Sequence, residues 1–236
     1  MRMPKETSIS EIELGTHQRC NIMCTVLTLG MVPIEFVVGF GRMQMPINGQ
    51  VFQHIIKAVE VGKARNMAVE YLMAIPKHDR PKWLFFYGDD MLPPWDGFVR
   101  LYEEAEKGNW DCLTGLYFVK NTPPVPLTWR NDRIGRLQPG RDYRVGEVIW
   151  VDLTGLDFTL IRTSTLEKME PPYFKTGPSL RSEIPSSIAK YADPKSIVLH
   201  TEDVWFYNKV KALGGKIGVH TGVRVAHIDS RSGRIF

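Results

Sequence analysis

The sequence predicts an α/β fold, one compact domain built on a mixed, mostly parallel sheet flanked by helices. Three observations predict it. The runs CTVLTL (Cys24 to Leu29), WLFFY (Trp83 to Tyr87) and CLTGLYFV (Cys112 to Val119) are β-branched or aromatic and lack the polar alternation of a half-solvated strand. Stretches of helical periodicity alternate with them, which argues for a sheet covered by helices. A chain of 236 residues, 43% hydrophobic and 24% charged, can bury one substantial core.

In order along the chain, residues 1–20 read as a weakly ordered segment, and residues 21–236 form the domain. Gly30 ends the first strand, VPIEFVVGFGRM forms a short helix, and an extended piece follows over Val51 to Ile56. From Val61 the pattern turns helical, with Ala64, Met67, Ala68, Tyr71 and Leu72 on one face, until Pro76 stops it. Trp83 to Tyr87 is the central strand. Pro93 and Pro94 then open a helix whose face carries Trp95, Phe98, Leu101, Tyr102 and Ala105, closed by Gly108. After the strand at Cys112, Asn121 to Arg144 is rich in Pro, Gly and Arg and shows no period. Glu147 to Ile161 is strand-rich, Thr163 to Met169 a short helix, and Thr176 to Lys195 a long loop. A helix over Thr201 to Leu213 ends at Gly214 and Gly215, and KIGVH and VRVAHI supply the last extended segments.

The formal charge of +4 and pI near 8.9 suit an anionic ligand such as a nucleotide. No apolar run is long enough for a membrane span, and the first residues lack a signal peptide's apolar segment, so a cytoplasmic location (host cytoplasm for a viral protein) is expected. The three cysteines, Cys20, Cys24 and Cys112, make no disulfide framework. His17, Cys20 and Cys24 are too few for a structural zinc site and read as a histidine beside reduced thiols.

The stretch WLFFYGDDMLPP sets Asp89 and Asp90 side by side at the end of a buried strand. Adjacent carboxylates repel, so a positive group, most directly a divalent cation, is expected to meet them. A polymerase palm would need a metal-binding Asp on an earlier strand. Only Asp79 precedes Trp83, and the residues after the acidic pair read as a helix start.

An apolar strand, an acidic turn, Pro-Pro and an amphipathic helix resemble the DxD region of glycosyltransferases of the GT-A fold, family-two-like enzymes of bacterial or viral type. GKARNMAVEYLM is similar to the helix before the DxD strand, WDCLTGLYF to the strand after it, and VDLTGLDFTLIRTSTLEKMEPPYF to the acceptor-side segment. TEDVWFYNKVKALGGKIGVHTGVRVAHID resembles the xED helix and the closing strand with its terminal histidine. These segments follow one another from Cys24 to Asp229. Two positions depart from the pattern: Gly88 stands where the first Asp would be, and Asp157 where a small residue is common.

The resemblance implies a metal-dependent (Mn2+ or Mg2+) transfer of a sugar from a nucleotide-diphosphate donor, UDP- or GDP-linked, to a hydroxyl acceptor. It assigns Asp90 and His227, with Asp89, to the metal. It assigns Thr28, Leu29, Gly30, Met31, Arg65, Asp89 and Asp90 to the donor, and Asp203 or Glu202 to the general base. Residues 21–120 form the nucleotide-sugar half and 121–236 the acceptor half. Arg130, Arg133, Arg136, Arg141 and Arg144 surround a Pro-Gly turn beside Trp129, which keeps a nucleic-acid acceptor, such as a hydroxylated base in viral DNA, among the alternatives to the preferred glycan or small molecule. A nucleotidyltransferase and an inactive nucleotide-sugar-binding module are the alternative readings of the whole chain.

Overall fold

The computed structural model describes residues 20–47, 50–57, 59–130, 136–180 and 197–236. Of the expected weakly ordered segment 1–20, residues 1–19 fall outside the described residues, as do His17, Arg133 and most of the expected loop from Thr176 to Lys195, whereas Cys20 already opens a strand.

The spine is a sheet of strands β1 (Cys20–Thr28), β2 (Gln50–Lys57), β3 (Trp83–Gly88), β5 (Cys112–Tyr117), β9 (Phe158–Arg162), β12 (Ile217–Asp229) and β13 (Arg234–Ile235), in the order β13-β12-β5-β9-β3-β1-β2. β1 runs parallel to β2 and β3, and β12 parallel to β5. β9 is antiparallel to both β3 and β5, so all five other long strands point the same way. The start of β9 therefore lies at the same sheet end as the carboxyl ends of β1, β3, β5 and β12.

Both faces are buried, which explains the unbroken apolar runs. Met23, Leu84 and Phe86 face a core with Ala68, Leu72, Phe174 and Phe206. Ile22, Cys24, Trp83, Phe85 and Tyr87 face the opposite one, with Phe36, Phe98 and Leu101. The first is covered by helices α2 (Val61–Ala74) and α5 (Glu202–Ala212), the second by α1 (Ile34–Arg42) and α3 (Gly97–Glu106). Glu60 caps α2, its carboxylate accepting from the Gly62 and Lys63 N–H groups at 3.0 and 2.8 Å. The thiols of Cys24 and Cys112 are free and buried, and burial pushes the Cys24 thiol up to about 12, so it stays protonated. No helix among the described residues is long and apolar enough to cross a membrane.

Four expectations are corrected. The residues after the acidic pair do not enter a helix at once. Met91–Leu92 forms a short strand, β4, antiparallel to β12, with His227 opposite Met91. Helix α3 starts only at Gly97, so Trp95 precedes it and lies 60% exposed instead of joining the core face. KIGVH and VRVAHI are one continuous 13-residue strand, β12, with a register irregularity between His220 and Arg224. The stretch expected to be loop opens with strand β10 (Gly177–Leu180), antiparallel to β11 (Ile197–His200). Among the described residues β10 pairs with β11 alone, an edge setting that tolerates Pro178. The remaining elements are short: β6 (Thr128–Trp129) pairs with β8 (Leu153–Thr154), β7 (Val148–Val151) with β12, and α4 (Thr163–Leu166) follows β9.

Candidate functional site

The candidate residues gather at one end of the sheet, where the parallel strands finish and β9 begins. That is where open α/β sheets bind ligands. Thr28 ends β1, and its Oγ1 accepts from Gly30 N–H at 3.0 Å. Gly30 has φ of 110°, a left-handed backbone conformation that strains any other residue, which accounts for glycine at this turn. Leu29 and Met31 project into solvent, 82% and 93% exposed.

Asp90 is the best defined of the acids. The backbone N–H of Ile228 donates to its carbonyl at 2.7 Å, and the β4–β12 pairing brings His227 beside it. His227 Nε2 lies 3.1 Å from Asp90 Oδ2, and Nδ1 lies 3.0 Å from the Phe118 carbonyl. A carbonyl can only accept, so Nδ1 must carry the hydrogen. Neutral His227 would then aim a lone pair at a carboxylate. A proton on Nε2 or a cation between the two groups removes that conflict.

Lys120, which no sequence motif marks, takes the same oxygen, with Nζ at 2.7 Å from Asp90 Oδ2. Burial alone would raise the Asp90 carboxyl, but hydrogen bonds and charge from His227 and Lys120 bring it below its ordinary range. Asp89 moves the other way. Burial raises it, reinforced by the charges of Asp90 and Asp157, while the Thr28 hydroxyl bonded to it works against the rise.

Among the described residues no three His, Cys, Asp or Glu side chains converge as a metal-holding group. The Asp90 oxygen and His227 nitrogen suit manganese in donor chemistry, and magnesium less well because it prefers oxygen donors. The Phe118 carbonyl behind Nδ1 is the kind of partner that orients a ligating imidazole.

Beneath this rim lies a buried ionic cluster. Arg65 belongs to the buried stripe of α2 with Ala64, Ala68 and Leu72 and is 1% exposed. Its Nη2 meets Asp157 Oδ1 at 2.6 Å, its Nε lies 3.5 Å from Glu202 Oε1, and its guanidinium carbon stands 4.8 Å from the Phe86 ring centre. Burial would lower Arg65, but the charges of Asp157, Asp203 and Glu202 outweigh it and raise it. Arg65 is thus placed below the strand-end rim, engaged by protein carboxylates.

Glu202 and Asp203 open α5, where a helix amino terminus favours anions. Asp203 Oδ1 is shut from solvent and has no hydrogen-bond partner among the described residues, although the Asp203 carboxyl shares a hydrogen bond with the Glu202 side chain. Burial, the adjoining Glu202 and the charge of Asp157 push the Asp203 carboxyl well above its ordinary value, with Arg65 opposing. Tyr117, whose hydroxyl accepts from Asp157 N–H at 3.3 Å, and Tyr207, whose hydroxyl donates to Gly155 O at 2.9 Å, wall the cluster.

The basic stretch lies along β6 and the turn after it. The Arg136 guanidinium stands 4.8 Å from the Trp129 ring centre and Arg130 5.9 Å from that of Trp150, whereas Arg141 is paired with Asp142 at 2.8 Å.

No protein-family model matches the chain, and no curated protein matches it. Solved structures do. A197 from STIV superposes with a TM-score of 0.56 at 17% identity, over 92% of this chain and 93% of that one. GalNAc-T7, solved with UDP, GalNAc and Mn2+, superposes with a TM-score of 0.54 at 12% identity, over 90% of this chain and 44% of that one. The fold is GT-A-like. In this GT-A-like sheet the acidic turn, His227 and the α5 carboxyls share the strand end described above.

Proposed function

We propose that the protein is a glycosyltransferase that moves a sugar from a nucleotide-diphosphate donor to a hydroxyl acceptor. One observation carries the reading: Asp90 and His227, far apart in sequence, meet at 3.1 Å at the carboxyl ends of the strands in a GT-A-like fold. The structural neighbour solved with UDP, GalNAc and Mn2+ supports a nucleotide-sugar donor and a divalent cation. Residues 21–120 form the donor half and 121–236 the acceptor half.

In this reading Asp90 and His227, with Asp89 alongside, would hold manganese or magnesium. When bound, the cation supplies charge stabilisation to the leaving diphosphate. The remaining work falls to the chain. Thr28 and the turn through Met31 border the donor, and the Lys120 ammonium adds positive charge where phosphate charge accumulates. Asp203 is the general base, because its Oδ1 has no partner to give up, whereas Glu202 already meets Arg65. A carboxylate with a raised pKa is also a stronger base once ionised. The acceptor is a glycan or small alcohol in preference to nucleic acid. Arg141 is neutralised by Asp142, and Arg130 and Arg136 lie against tryptophan rings.

Incubating the protein with UDP- and GDP-sugars and manganese tests the reading. Release of free sugar with the nucleoside diphosphate, and a melting point raised by one of these donors, is expected. Pyrophosphate release would instead mean nucleotidyl transfer, and no response to any nucleotide sugar would overturn the donor assignment.

A further inference from the structure

Gly88 and Asp157 compete for a single space. A Cβ on Gly88 would lie 2.8 Å from Asp157 Cβ, closer than real side chains approach, and 3.1 Å from its Cγ, so one of the two would have to shift. The backbone of Gly88 is not left-handed. Its lack of a side chain therefore answers to Asp157, not to a turn. The two residues are locked together, Gly88 N–H donating to Asp157 O at 2.7 Å. The strand end can carry a side chain from β3 or from the loop entering β9, and this chain uses the second.

The Asp157 carboxylate is both anchored and open. Oδ1 is held by the buried Arg65 guanidinium at 2.6 Å, yet the side chain keeps 35% of its surface exposed, so the carboxylate is not enclosed with its partner. It stands beside the peptide that leads into Asp89. A bare counter-ion for a guanidinium this buried would be expected to be enclosed with it. We propose that Asp157 is a donor-binding residue whose carboxylate, beside Asp89, accepts hydrogen bonds from hydroxyl groups of the bound nucleotide sugar. Arg65 is its positioning residue. This rests on the glycosyltransferase reading above.

The test measures binding of UDP, UDP-sugar and 2′-deoxy-UDP with manganese, by calorimetry, to wild type, Asp157→Asn, Asp157→Gly, Gly88→Asp and the Gly88→Asp/Asp157→Gly exchange, with circular dichroism as the fold control. Asp157→Asn keeps the volume and should weaken UDP-sugar binding by about tenfold or more, the scale of a lost charged hydrogen bond. Gly88→Asp alone should weaken binding and lower the melting point through the clash. The exchange should restore binding to within about threefold of wild type, one carboxylate again filling the shared space. If the deoxy compound loses affinity for wild type but not for Asp157→Asn, the hydroxyl is on the ribose. If UDP itself is indifferent to Asp157→Asn while UDP-sugar is not, the hydroxyl is on the sugar. Folded Asp157→Asn with wild-type affinity for every ligand would overturn the proposal and leave Asp157 a counter-ion for Arg65. An exchange that is unfolded, or that fails to rescue binding, would overturn it too. Absence of nucleotide binding to wild type would instead sink the donor reading itself.

Discussion

His227 Nε2 and Asp90 Oδ2 stand 3.1 Å apart although 137 residues separate them in the chain. The short β4–β12 pairing joins them: one strand carries His227 opposite Met91, directly after Asp90. Replacing Asp90 removes the only carboxylate in that contact. Asp90→Ala should abolish manganese-dependent donor binding and lower turnover by at least about a hundredfold, while circular dichroism stays that of wild type. Transfer by wild type that persists undiminished in a chelator would exclude the metal role.

Lys120 competes for the same oxygen. Its ammonium lies 2.7 Å from Asp90 Oδ2, partly exposed, so the pair adds little to stability but must be displaced or rearranged when a cation arrives. Lys120→Gln should therefore bind manganese alone more tightly, by up to about fivefold, the equivalent of a surface ion pair released. It should also bind the nucleotide diphosphate more weakly, having lost a positive charge near the phosphates. Calorimetric titrations of each ligand check both signs, and unchanged affinities would remove Lys120 from the site.

The buried guanidinium of Arg65 makes a stability prediction independent of catalysis. It faces Asp157 and Glu202 with almost no access to water. Arg65→Ala leaves those carboxylates without a counter-charge and opens a void, so a loss of about 3–5 kcal/mol is expected. Urea unfolding monitored by tryptophan fluorescence reads this directly. A cost below about 1 kcal/mol would mean that the carboxylates take up protons with little penalty.

The β-layer was legible because burial on both faces leaves continuous apolar runs, and α2 was legible as a helix, but its buried face was misplaced: Met67 and Tyr71 lie 40% and 45% exposed, while Arg65 and Val69 are buried beside Ala64, Ala68 and Leu72. The partnership of Asp90 with His227 was legible only through the order of four motif segments. Lys120 was not, because a lysine at a strand end carries no local pattern and its partner is chosen by the sheet order. Asp157 showed only as a departure from a resemblance. Its reason lies in a contact between a strand and the loop entering its antiparallel neighbour, and no spacing within the chain encodes that. Trp95 was misplaced because Pro-Pro suggested an immediate helix, whereas β4 comes first and a turn through Trp95 and Asp96, closed by Gly97 N–H donating to Pro94 O at 2.9 Å, delays the helix to Gly97.

Asp203 gives a prediction in which stability and activity move in opposite directions. Its folded carboxyl is raised well above the ordinary value by burial and by Glu202 and Asp157. The folded state therefore holds a proton that the unfolded chain releases at lower pH. The stability this contributes is fully present below the ordinary carboxylate range and is lost as pH rises through the folded value. Asp203→Asn keeps the shape and cannot ionise. Its melting point should match wild type in acid and exceed it at pH 8. Turnover should change the other way. In wild type the base is competent only when ionised, so kcat should rise with pH along a limb lying above the ordinary carboxylate range, and Asp203→Asn should lose that limb together with roughly a hundredfold or more of the rate. If Asp203 acts as the proposed general base, donor affinity should be nearly unchanged. Thermal melts at two pH values and a pH–rate profile measure these effects separately. A collapse of donor binding would move Asp203 into the donor site, and a normal pH limb in Asp203→Asn that disappears in Glu202→Gln would make Glu202 the base.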